Sequence, residues 1–210
     1  MDKTQKRIFK NYIGYVLEHK KQPKSIHTFI DGLRINENTF LKYFNSFDQL
    51  EKEFWKIIFE DTISKLEAQE EYLSYSVNEK LLAFYFTWIE ELKDSRNYVQ
   101  YVIKKERIYE LYPSGFESFK QSFELFSSRL IAEGIATREI ADRMLLTDKY
   151  KYVLWYQPVS IVKFWAKDHS KDFEDTDALI EKTVNFSFDL MRSNGIDSFI
   201  DLAKFHIQHF

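Results

Sequence analysis

The chain has 210 residues, a formal net charge of −3 and no cysteine, which excludes disulfides, thiolate catalysis and cysteine metal sites. Five glycines and three prolines are too few for the frequent turns of a β sandwich, so the fold class expected is all-α. No apolar stretch of about 18 residues occurs and the N-terminal MDKTQKRIFK lacks an apolar signal core, so a soluble, cytoplasmic protein without membrane insertion is expected.

Apolar periodicity predicts a first helix from about Thr4 to Glu18, with Ile8, Tyr12, Tyr15 and Val16 on one face. Lys20 to Lys24, containing Pro23, is a break. Ser25 then caps a short helix whose Ile26, Phe29, Ile30 and Leu33 recur at helical spacing. Arg34 and Ile35 leave room for only a tight turn before Asn36, the cap of another short helix running through Phe44. Ser46 and Gln49 have the spacing of a capping box for a long helix from Phe47 to about Tyr72, with Leu50, Phe54, Ile57 and Ile58 inward.

Further helices are predicted over Val77–Lys93, with Leu81, Phe84, Tyr85 and Trp88 at helical spacing, and over Asn97–Tyr109. Tyr112-Pro113-Ser114-Gly115 is a turn, Phe116–Ala132 a helix ended by Gly134, and Thr137–Leu146 a shorter helix capped by Thr137. Lys149–Lys167 follows, and Pro158 should kink or interrupt it. Thr176–Arg192 is stopped by Asn194-Gly195, and a last helix spans Ser198–His209, for about nine to ten helices in total.

Two short helices joined by so tight a turn must cross steeply, the geometry that lays a second helix into a DNA major groove. At 100° per residue, Asn36, Thr39, Lys42 and Tyr43 share one face of that helix, while Phe40 and Phe44 share another. The polar face offers an amide, a hydroxyl, an ammonium and a phenol, groups that reach phosphate oxygens and base edges. The charge is also divided. Residues 1–50 hold nine basic and five acidic residues, a net of +4, leaving 21 basic and 28 acidic residues and a net of −7 for the remainder. A basic head on an acidic body suits phosphate binding.

Thr39 to Leu50, TFLKYFNSFDQL, resembles the TetR-type regulator signature T-L-Y-x-Y-F followed by x-S-K-E-x-L, and Ser25 to Ile35 is similar to that family's S-V-x-x-I-A-x-x-A-G-V run. The resemblance covers about 45 residues from Thr4 to Leu50 and is a motif match. It implies an all-α homodimer with a helix-turn-helix DNA-binding domain (1–48) and a helical ligand-binding and dimerisation domain (49–210). It also implies that Thr39, Lys42 and Tyr43 contact DNA. Three positions depart from the pattern: Arg34 stands at the turn glycine, Phe47 at a lysine that contacts phosphate, and Glu37 at a frequent lysine. Glu37 is read as a first-turn carboxylate favoured by the helix dipole, off the reading face.

The candidate DNA contacts are thus Ser25, His27, Asn36, Asn38, Thr39, Lys42 and Tyr43. In the last two long helices, apolar residues wrap more than one face, a surplus that a four-helix-bundle dimer would bury. The interface expected holds Leu154, Ile161, Trp165, Ile180, Val184, Phe188 and Met191. Aromatic residues make up 18% of the chain; most should be core, and a core this rich in rings can also line an apolar cavity. Phe84, Trp88, Tyr101 and Tyr109, with Phe119, Phe123, Phe126 and Tyr156, are the candidate lining of an apolar effector pocket.

Catalytic patterns are weak. None of the five histidines sits beside a nucleophile, His206-x-x-His209 near Asp201 is a sparse metal set, and no glycine-rich phosphate loop occurs, so neither enzyme nor cofactor is expected. The expected function is a DNA-binding repressor that reads a palindromic operator as a homodimer and answers to a small apolar effector. The alternative is a protein of the same fold that has lost DNA binding and carries a lipid or isoprenoid.

Overall fold

A computed structural model describes residues 3–105, 115–143 and 147–192, which form nine α-helices and no strand. Helix α1 (Lys3–His19) buries Ile8, Phe9, Tyr12 and Val16 along one stripe and exposes Lys3, Lys6, Arg7 and Lys10. It ends where Lys20 turns left-handed (φ 55°) and returns its N–H to Val16 O at 2.9 Å. Helix α2 (Ile26–Ile30) starts on Ser25, whose Oγ accepts the Thr28 N–H, and tightens into one 3₁₀ turn over Asp31–Leu33. Helix α3 (Glu37–Leu41) starts on Asn36, and α4 (Phe47–Glu67) on Ser46.

The turn between α2 and α3 is made by Arg34 itself, in the left-handed region at φ 51°, ψ 40°. The sequence therefore meets the geometric demand that glycine usually meets with a residue that carries a Cβ penalty. The capping box expected at Ser46 is only half made. Ser46 Oγ accepts the Gln49 N–H at 3.1 Å, but Gln49 Oε1 accepts the Asn45 N–H at 2.6 Å. The reciprocal pair occurs instead at Ser76 and Glu79, at the start of α5 (Val77–Leu92). There the two Ser76 hydrogen bonds, backbone first, hold the Glu79 carboxyl below its ordinary pKa.

Helix α4 stops at Glu67, short of Tyr72, and a 3₁₀ turn over Glu70–Ser74 buries the Tyr72 ring. Another such turn, Lys93–Ser95, leads into α6 (Arg96–Lys105), so the stretch predicted to reach Tyr109 is helical over its described part. Helix α7 (Phe116–Ala136) runs through Gly134 rather than ending there. A Cβ at Gly134 would lie 2.7 Å from Ile140 Cδ1 and 3.0 Å from Val77 Cγ2, so glycine serves close packing and not termination. Thr137 to Arg143 is not helical, contrary to the sequence pattern. Arg138 turns left-handed (φ 65°), and the Ala141 N–H goes to Met191 O at 3.1 Å, so a tertiary partner replaces the next helical turn.

Helix α8 (Thr147–Trp165) continues without interruption through Pro158, and a tight turn over Lys171–Phe173, with Asp172 (φ 52°) and Phe173 (φ 66°) left-handed, leads into α9 (Glu174–Arg192). The predicted helix Ser198–His209, with its two histidines, lies outside the described residues. The body is built from α4, α5, α7, α8 and α9 in mutual contact, while α1 rests on α6. Its centre is aromatic: Trp88 stacks on Phe119 at 5.0 Å, Phe119 on Phe116 at 4.8 Å, and Trp155 meets Phe123 at 6.1 Å. No helix among the described residues is long and apolar enough to cross a membrane.

Candidate nucleic-acid interface

The N-terminal helices are held by a cluster of six rings. Phe9 meets Phe44 edge-on at 5.1 Å, Tyr12 stacks on Phe47 at 5.5 Å, and Phe29 packs against both Phe40 (6.1 Å) and Phe47 (5.5 Å). Phe40 and Phe44 are fully buried, as the helical wheel requires, so they fix which side of α3 faces solvent. Phe47 is a member of this cluster. Where the resemblance has a lysine, this chain places a core ring.

On the outer side, Asn36, Asn38 and Lys42 are exposed and Thr39 and Tyr43 are half-buried. Asn36 Oδ1 accepts both the Thr39 N–H and the Thr39 hydroxyl proton, each at 2.8 Å. With its proton given to Asn36, the Thr39 oxygen keeps acceptor capacity for a base amino group, and the Asn36 amide keeps its N–H donors. Lys42 and Tyr43 lie just past the regular part of α3 in a continuing turn, with Phe44 N–H donating to Phe40 O at 3.0 Å. The Lys42 ammonium lies 5.8 Å from the Tyr43 ring centre, which biases both side chains toward one patch. Ser25 and His27, at the start of α2, are also exposed, and the Ser25 hydroxyl is engaged with Thr28. Exposed Lys3, Lys6, Arg7 and Lys10 add cations along α1.

The head joins the body through contacts that no local motif announces. Tyr12 donates to Glu51 Oε1 at 2.6 Å, and burial, then Glu51, pushes its phenol well above the ordinary pKa. Lys52 pairs with Glu117 at 2.8 Å. Between them, Gly115 (φ 82°) packs so closely on α4 that a Cβ would sit 3.0 Å from Glu51 O. Gln22 Nε2 ties the α1–α2 loop to Asp48 at 3.0 Å. The Ser-Gly turn before α7 is visible in the sequence, but its contact with α4 spans more than sixty residues and is not.

The seven residues expected at a dimer interface are buried inside the protomer. Leu154, Ile161, Trp165, Ile180, Val184, Phe188 and Met191 are each 2% exposed or less. Apolar residues wrap more than one face of these helices, and a different set from the one expected is the outward one. Tyr152, Val153, Tyr156 and Phe164 on α8 and Phe186 on α9 are exposed, with Leu179 and Leu190 half-buried beside them. Packing decides the assignment: α8 lies against α7 and α9 against α5, and the residues on those contact sides are the buried ones.

The candidate pocket residues separate into different roles. Phe84, Trp88, Phe119 and Phe123 are fully buried and in ring contact with one another, and half-buried Phe126 joins them at 4.9 Å from Phe84. They pack as core. Tyr156 is 61% exposed and belongs to the outward row of α8. Tyr101 lies at the head, donating to Lys20 O at 3.0 Å. Tyr109 lies outside the described residues.

Residues 80–206, more than half of the chain, match the family described as tetracyclin repressor-like, C-terminal domain. Among solved structures, a candidate TetR-family transcriptional regulator from Syntrophomonas wolfei superposes with a TM-score of 0.67 over 90% of this chain and 95% of its own. At 16% identity that likeness is one of fold. Among curated proteins, none matches the sequence. An N-terminal helix-turn-helix with an outward α3, followed by a body whose sequence matches this family over residues 80–206, places the chain in the TetR family.

Proposed function

We propose that the protein is a homodimeric, DNA-binding transcriptional regulator of the repressor type, reading a palindromic operator through α3 and answering to a small apolar effector. The observation that carries it is the division of α3: Phe40 and Phe44 anchor it in the ring cluster, while Asn36, Asn38 and Lys42 stand exposed beside Thr39 and Tyr43. This supplies both the rigid support and the donor and acceptor set that direct readout needs. The head spans 1–48 and the effector and dimerisation unit 49–210.

Twofold operators require a twofold protein, and the outward row Tyr152, Val153, Tyr156, Phe164 and Phe186 is the apolar surface a second copy would bury. A carrier without DNA binding is the reading that Phe47 and Arg34 would favour. Each has a local task in the head, as ring-cluster member and as left-handed turn residue, so neither argues against the regulator.

Electrophoretic mobility shift with duplexes selected from a random pool tests the proposal. Binding should weaken steeply as salt rises, because neutralised phosphates release counterions. Lys42→Ala should weaken it by roughly five- to tenfold, in keeping with loss of about 1–1.5 kcal/mol for one contact. Unchanged binding by both Lys42→Ala and Asn38→Ala would mean that another surface reads the DNA.

A further inference from the structure

A cleft of about 540 Å³ opens where the head meets the body, between α1, α4 and the turn that follows α5. Its volume lies within the roughly 300–1,000 Å³ typical of ligand pockets. The floor is apolar, made by Phe9 and Ile13 from α1 and Phe54 and Ile57 from α4. The rim is charged. Lys6 and Lys10 stand one turn apart on exposed α1, and neither is paired with a described residue. From the end of α5 and the turn after it come Glu91, which is neutralised by Lys65, and Asp94, which has no ion-pair partner among the described residues.

We infer that this cleft binds an amphiphilic anion: an aliphatic tail laid on the Phe9–Ile57 floor, with a carboxylate held by the Lys6 and Lys10 ammonium groups. Among the described lining residues, two unpaired cations against one unpaired anion fix the sign of the headgroup. The tail is aliphatic because two rings and two branched side chains form an unspecific apolar trough with no buried polar partner among the floor residues. The site differs from the ring-packed centre of the body, which has its rings in mutual contact. An occupant would touch α1 of the head and α4 of the body at once, so a DNA-bound head in a different setting would hold it with a different affinity. The inference rests on the regulator proposal only for that last coupling.

Isothermal titration calorimetry of the full chain, without DNA, tests it with sodium dodecanoate below its micelle concentration. One dodecanoate per chain is expected, bound about tenfold or more tighter than dodecan-1-ol and dodecyltrimethylammonium. Lys6→Glu with Lys10→Glu, both at exposed positions, should weaken it about tenfold or more. Ile13→Glu should abolish it, with the helical circular dichroism unchanged in all variants. Equal binding of the alcohol and the carboxylate, or native binding by the lysine double variant, would overturn the assignment. So would sedimentation of the chain with phosphatidylglycerol vesicles in the absence of dodecanoate uptake, which would make the lysines a membrane contact. Because DNA is absent, a failed operator experiment leaves this result standing, and a failed titration leaves the operator experiment standing.

Discussion

Single residues hold this fold at points where geometry, not pattern, is demanding. Arg34 occupies the left-handed region, where an L-residue costs about 1 kcal/mol or more. Arg34→Gly should therefore raise stability by about 0.5–1 kcal/mol in urea unfolding, the strain relief exceeding the extra unfolded-state entropy. No gain would mean that the Arg34 side chain makes an offsetting contribution. Asp168 is the second such residue. Its carboxylate accepts from Ser170 N–H and hydroxyl and from Thr176 N–H and hydroxyl, at 2.5 to 3.0 Å, and so caps the start of α9. Burial alone would raise its pKa, but these hydrogen bonds outweigh it and hold the carboxyl at about 2, below the ordinary 3.8.

A depressed folded-state pKa means that the stabilisation is fully present above about pH 4 and is lost as the pH falls through about 2. Asp168→Asn should thus cost stability at pH 6, about 1–2 kcal/mol for a weakened cap, and the gap between variant and parent should close toward pH 2. A gap that stays constant with pH would assign the effect to shape and not to charge. Neither residue's role is a property of composition. Arg34 was legible as a turn residue from the spacing between two helices and from the glycine usual at its position, but its left-handed backbone was not. Asp168 is legible only when the partners at 170 and 176 are known to fold back on it.

At the scale of elements, α1, α2, α3, α5 and α9 follow from apolar spacing and capping residues, and their boundaries agree with the pattern to within a few residues. What spacing cannot supply is which of two apolar rows faces inward. On α8 and α9 both rows satisfy a helical period, and only packing against α5 and α7 selects Leu154, Ile161, Val184 and Phe188 for the core. The same ambiguity made a ring-packed centre resemble a pocket lining. The two rows should answer differently to mutation. Tyr156→Asp with Phe186→Asp should give a folded monomer by light scattering, with helical circular dichroism retained. Phe188→Asp should instead abolish cooperative unfolding, since it buries an unpaired carboxylate in the protomer. A monomeric parent protein would remove the dimer face altogether.

Across the whole molecule, the proposed effector response requires a physical joint between the body and the N-terminal helices. Three contacts converge on one turn of α4: Tyr12 with Glu51, Gly115 against the Glu51 carbonyl, and Lys52 with Glu117. Gly115→Ala should strain this joint, because φ 82° and a 3.0 Å approach to backbone both penalise a Cβ, and should lower the melting temperature by several degrees for about 1–2 kcal/mol lost. These long-range contacts were the least readable part of the chain, because their partners lie far apart in sequence and carry no local signature.

On the proposed function, two copies of this chain read a symmetric DNA site through α3. Footprinting on a duplex selected from a random pool, with complex mass measured on the same sample, decides it. The predicted result is two chains on a twofold site whose half-sites lie about one helical turn, ~34–36 Å, apart or a multiple of it, with protection lost in Lys42→Ala. A folded dimer that protects no sequence even at low salt would contradict it.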